Sequence, residues 1–140
     1  MIRFSKLPDN VEALIPAAAS YLQSHEEVLF AYLFGSLAKG KPGPLSDIDI
    51  AVYLSTEHDL PERKLEILGR LNDILETDEV DLVVLNLAPL TLAIRILENK
   101  QVIADKDPFF RHRYESLVMR KSFDFSVKES AILKRRFLRG

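Results

Sequence analysis

Apolar residues recur along the chain at two different spacings. Val11, Leu14, Ile15, Ala18 and Leu22 follow a helical period behind Asp9-Asn-Val-Glu12, which has the form of a capping box, and they predict a one-sided helix to about Ser24. Short, nearly continuous apolar runs at Val28–Phe34, Ile48–Leu54, 80–85 and 101–104 predict four buried strands. Between the second and third runs, Asp59-Leu-Pro-Glu62 opens a helix with proline early in its first turn, and Leu65, Leu68, Leu71 and Leu75 are expected on its inner face. From Pro89 to Glu98 the pattern is apolar nearly all round, which predicts a well-buried helix. Beyond Pro108 the period is helical again, with Phe110, Tyr114, Leu117 and Val118 on one side. Residues 122–127 alternate as a strand would, yet basic helical sequence resumes after them, so Pro108–Leu138 is read as one long or broken helix. Strands alternating with helices imply an α/β (α+β) fold, a small mixed sheet flanked by helices. The expected organisation is a single domain over 1–140, with a core at about 9–107 and a helical segment at about 108–140.

Two stretches break this pattern in a way that packing does not explain. The first apolar strand ends in Gly35-Ser36, and after a loop rich in Gly, Pro and Lys the next strand opens on Asp47-Ile-Asp-Ile50. Side chains at i and i+2 of a strand share a face, so Asp47 and Asp49 project together while Ile48, Ile50 and Val52 enter the apolar side. Two adjacent carboxylates repel unless hydrated or bridged by a cation, and their hard oxygens suit Mg²⁺. Asp81 is a third acid, set in the otherwise apolar Val80-Asp-Leu-Val-Val-Leu85. An acid buried there without a partner is costly. If its strand lies beside Ile48–Leu54, three carboxylates converge, enough for two ions in phosphoryl or nucleotidyl transfer. Glycine at the end of a strand lets backbone approach a ligand closely, and Ser36 offers a hydroxyl to a phosphate oxygen. A lone Asp-x-Asp is common and ordinarily marks solvated acids at a strand entry. The conjunction of strand, Gly-Ser, spacer, Asp-x-Asp and a later strand acid is far more specific.

At these residues the chain resembles the DNA polymerase beta-type nucleotidyltransferases, whose hallmark is Gly-Ser, a spacer and Asp-x-Asp. The stretch GSLAKGKPGPLSDIDIAV is similar to the minimal nucleotidyltransferases, antitoxin partners of HEPN-domain toxins. The resemblance covers about residues 28–104. It implies a polymerase beta-like fold in which Gly35 and Ser36 hold the nucleotide phosphates and Asp47, Asp49 and Asp81 serve as catalytic and Mg²⁺-binding residues. It further implies transfer of AMP from ATP to a hydroxyl, a tyrosine of a HEPN ribonuclease toxin. The alternatives are a nucleotidyltransferase for a small molecule or an RNA end, and a catalytically silent antitoxin that neutralises its partner by binding.

Composition narrows the setting. There is no cysteine among the 140 residues, which excludes disulfides and thiolate metal sites and favours a cytoplasmic location. Residues 1–8 do not resemble a signal peptide, and no apolar run is long enough to span a membrane. The net charge of -2 conceals an uneven distribution: from Arg111 onward there are nine Lys/Arg against three Asp/Glu. Such a tail attracts nucleic acid or an acidic partner, although a solvated helix face is the ordinary explanation. Lys39 and Lys41 are treated as solvated loop charges, and His25, His58 and His112 lack metal-ligand spacing. Tyr53 shares the face of Asp47 and Asp49 but is expected to pack. Phe109, Phe110, Tyr114, Phe123, Phe125 and Phe137 are expected in a core or partner interface rather than stacked on bases. Arg95, in the apolar helix, either pairs with an acid or reaches toward the nucleotide.

Overall fold

The computed structural model describes residues 11–38 and 47–138, and the side chains of all of these except 36, 37 and 127–138. The capping box at 9–12, the loop lysines Lys39 and Lys41 and the ring of Phe137 lie outside what is described. The elements run α1 (Val11–Ser24), β1 (Val28–Phe34), α2 (Gly35–Ala38), β2 (Ile48–Leu54), α3 (Leu60–Leu75), β3 (Val80–Val84), α4 (Leu90–Glu98), β4 (Gln101–Asp105) and α5 (Pro108–Leu138). A single 3₁₀ turn at Leu85–Leu87 joins β3 to α4.

The four strands form one mixed sheet in the order β3-β2-β1-β4. The central strand β1 is antiparallel to both β2 and β4, whereas β2 and β3 are parallel. Alternation along each strand sends side chains to two apolar layers. Ala31, Leu33, Ile48, Ile50, Val52 and Leu82 face one side, where α1 and α3 cover them with Ala18, Leu22, Ile67, Leu71 and Leu75. Phe30, Tyr32 and Ala51 face the other, under Ile96 of α4 and the rings of Phe110 and Tyr114 of α5.

Two helices depart from expectation. In α3 the buried stripe is Leu60, Ile67, Leu71 and Leu75, while Leu65 is 69% exposed. The stripe repeats at seven, eleven and fifteen residues from Leu60, so Ile67 occupies the inner face and Leu65 points outward. In α4 only Ala93 and Ile96 are fully buried. Its remaining apolar residues border grooves on either flank, one of them an apolar hollow of about 720 Å³ against α5 lined by Ile94, Leu97, Val118, Met119 and Phe123. The strand-like alternation near residue 125 is overridden, since α5 runs unbroken as a helix of 31 residues.

Polar side chains tie the layers together. Asn86, just past β3, uses its amide as a surrogate strand residue. It accepts from Leu54 N–H and donates to Leu54 C=O, both at 2.9 Å. On the opposite flank Tyr32 O–H donates to Glu115 Oε2 at 2.7 Å, and Arg111 bridges Glu115 (3.0 Å) and Asp105 (2.8 Å). This network fixes α5 to β1 and β4. No helix among the described residues is long and apolar enough to cross a membrane.

Candidate active site

The register of the sheet assembles the site. Phe34, the last residue of β1, is opposite Asp49, and Asp49 is in turn paired with Asp81 across the parallel β2–β3 ladder. The two acids therefore stand side by side on the same face, that of α4 and α5. Chain direction explains the third position: Gly35 follows Phe34 and is brought against the Asp49 carboxylate. Its φ is +76°, and a Cβ added there would lie 2.2 Å from Asp49 Oδ2. Only glycine accommodates both the left-handed backbone and the carboxylate pressed on it. Ser36 is the second residue of the four-residue α2.

Asp49 carries the electrostatic tension of the site. Its carboxyl is pushed up to about 6, first by burial and then by the charges of Asp81 and Asp47. Asp47 is thus within electrostatic reach of Asp49, immediately before β2 begins. The desolvation cost expected at Asp81 falls instead on Asp49, because Asp81 is exposed and Asp49 is half-buried. Asp49 has no cationic partner among the described residues. Nor, among those residues, are three His, Cys, Asp or Glu side chains gathered into a ready metal-binding group.

Gly35, Asp49 and Asp81 open into a cleft of about 780 Å³ that is also lined by Leu92 and Arg95 of α4 and by Asn99 just beyond it. Lys64 of α3 borders the same cleft from the opposite flank of β3. Lys64 and Asn99 are cleft residues that the sequence pattern did not single out. Each reads as an ordinary helix-surface residue until α3 and α4 are packed around β3.

Other candidates fall outside the site. Tyr53 stacks on Phe30 at 5.3 Å between ring centroids and meets Phe110 and Tyr114 at 5.1 and 5.3 Å. It is a packing residue. Phe109 and Phe123 are exposed on α5. His25 Nδ1 accepts from Glu27 N–H at a helix end, and His58 lies in a turn held by Thr56.

A glycine-terminated strand paired with a carboxylate-bearing strand, a parallel neighbour supplying a further acid, and a cleft with charged side chains beside them define a nucleotide-transferring class of α/β protein. The family described as Polymerase beta, Nucleotidyltransferase matches residues 17–109, and the chain belongs to that family; it is a nucleotidyltransferase. No curated protein matches the chain. Among solved structures, a crystal structure of a toxin–antitoxin with AMP-PNP is similar at 22% identity and a TM-score of 0.70, over 87% of this chain and 98% of that one. A tri-AMPylated Shewanella oneidensis HEPN toxin in complex with MNT antitoxin is similar at 20% identity and a TM-score of 0.66, over 90% and 98%. The toxin–antitoxin MntA-HepT is similar at 21% identity and a TM-score of 0.64, over 89% and 98%. These likenesses establish a shared fold.

Proposed function

We propose that the chain transfers AMP from ATP to a hydroxyl, tyrosine by type, on a HEPN-domain toxin, and so acts as its antitoxin in the cytoplasm. The observation that carries this is the seating of the Asp49 carboxylate against the Gly35 turn, with Asp81 as its register partner in one cleft. The similar folds found in complexes with AMP-PNP and with an AMPylated toxin support the choice of nucleotide and acceptor.

The residues present fit a hard divalent cation. Mg²⁺ takes one or two carboxylates and completes its shell with substrate phosphates and water, so a preformed cage of three protein ligands is not required. Burial, and after it the charges of Asp81 and Asp47, push Asp49 up to about 6, and a bound cation would offset both. Asp47, Asp49 and Asp81 are the residues that would hold it. When bound, Mg²⁺ supplies Lewis acidity and charge neutralisation at the phosphoryl oxygens.

The chain's own groups then orient the reaction. Gly35, free of a side chain, admits phosphate oxygens to the backbone at the end of β1, and Ser36 is assigned a hydroxyl contact to them. The acceptor oxygen bonds to the α-phosphorus as the bond to the β-bridging oxygen breaks and pyrophosphate leaves. The hydroxyl proton passes to Asp81, the carboxylate exposed at the cleft mouth. Labelled ATP with Mg²⁺ is expected to leave AMP on the co-purified toxin, and Asp47→Asn with Asp49→Asn to abolish the label. Undiminished labelling by the double variant would remove the proposal. Neutralisation by binding alone is a second reading, motivated by the exposed apolar residues Phe109, Met119 and Phe123 of α5. Full protection from the toxin by the same unlabelling variant would favour it.

A further inference from the structure

The cleft has a cationic wall that the reaction above leaves without a task. Arg95, in the last turn of α4, and Asn99, just past its end, line it together with Gly35, Asp49 and Asp81. Topology fixes where they stand. α4 ends at Glu98 and leads within two residues into β4, whose Gln101 is paired with Leu33, two residues before Gly35. The last turn of α4 thus lies at the same end of the sheet as the Gly35 turn. Lys64 is at the other end, because α3 begins only after β2 has run from Asp49 to Leu54.

Arg95 is also uncommitted. It makes no ion pair with any described residue, whereas Arg63 pairs with Glu27 and Glu66, and Arg111 with Asp105 and Glu115. No cation figures among the groups that shift Asp49. The cleft is thus lined both by acids and by a permanently charged fork that no described acid pairs. A ligand that satisfies both carries a cation-bridged group and, a short distance away, further anionic oxygens.

We propose that Arg95 is a polyphosphate-binding residue, its guanidinium engaging the β- and γ-phosphate oxygens of the nucleotide and holding the departing pyrophosphate. This deepens the ATP-dependent reading and rests on it. Guanidinium presents two parallel N–H donors that match two phosphate oxygens. Negative charge on the leaving group grows as the bond from the α-phosphorus to the bridging oxygen breaks, so a fixed cation there favours the transition state over the bound substrate.

The full chain is titrated by calorimetry with Mg²⁺-ATP, AMP and inorganic tripolyphosphate. Arg95→Gln is expected to weaken ATP and tripolyphosphate at least tenfold and to leave AMP within twofold. Arg95→Lys recovers part of that loss, and Lys121→Gln, on the exposed surface of α5, leaves all three unchanged. Arg95 is exposed, so the variants keep the wild-type melting midpoint. ATP binding within twofold of wild type in Arg95→Gln overturns the inference alone, as does an equal weakening of AMP, which would place the guanidinium on the nucleoside or α-phosphate. A wild-type chain that binds no ATP overturns the ATP reading first and the inference with it.

Discussion

Gly35 and Asp49 constrain each other by close approach. Any side chain at position 35 must displace the carboxylate and also adopt a positive φ. Gly35→Ala is expected to cost about 1–3 kcal/mol of stability and to lower nucleotidyl transfer about a hundredfold, because the carboxylate is forced out of place. Urea denaturation and a labelling rate check the two parts separately. Asp49 also sets a pH dependence. Its folded-state value of about 6 lies above the usual 3.8, so the folded chain binds the proton more tightly than the unfolded one. The stability this contributes is fully present below the unfolded value and is lost as pH rises through the folded one. Asp49→Asn should therefore raise the melting midpoint at pH 8 and leave it unchanged at pH 3. The gain is on the order of 1 kcal/mol, reduced from the full shift because the group is part-exposed and screened. A destabilised variant at pH 8 would contradict this. Both residues were legible in the sequence, since a glycine closing an apolar strand and an Asp-x-Asp opening the next are local patterns. That their atoms collide without the glycine was not legible, for it depends on register.

At the level of elements, strands were easier to read than helix faces. The bounds of β1 and β2 follow directly from their apolar runs, because a central strand is buried on both sides and polar residues mark its ends. Leu65 shows the contrary case: a leucine-rich helix offers more apolar residues than its inner face can bury, and only the sheet beneath decides among them. The attachment of α5 was similarly hidden, since Tyr32 and Glu115 are 83 residues apart. Glu115→Ala is expected to cost about 2–4 kcal/mol in chemical denaturation, leaving the buried Tyr32 hydroxyl and part of the Arg111 guanidinium without an acceptor. Glu115→Gln keeps an acceptor for Tyr32 and should lose less. Equal losses in the two variants would show that charge rather than hydrogen bonding fastens the helix.

For the molecule as a whole, the two apolar layers place chemistry and attachment on the same side of the sheet. The carboxylates emerge on the α4–α5 face, whereas α1 and α3 seal the other with an almost uninterrupted hydrocarbon layer. The order of elements implied a helix-covered sheet, but the cleft between α4 and β3 arises only from packing. Hence Arg95 and Asn99 came to border the cleft near the Gly35 turn, and Lys64 farther along it, a placement that no periodicity announces. Nucleotide binding should be visible globally as well. Mg²⁺-ATP at a hundred times its dissociation constant is expected to add about 2.7 kcal/mol to unfolding, and the Asp47→Asn, Asp49→Asn double variant to gain much less.

The crowding of like charges at the mouth of the sheet bears on how such a protein would drift. Selected for heat tolerance alone, the chain would gain most simply by discarding an aspartate. The acids would then be among the earliest casualties, and a lineage that retains them at high temperature is one in which the site is still at work.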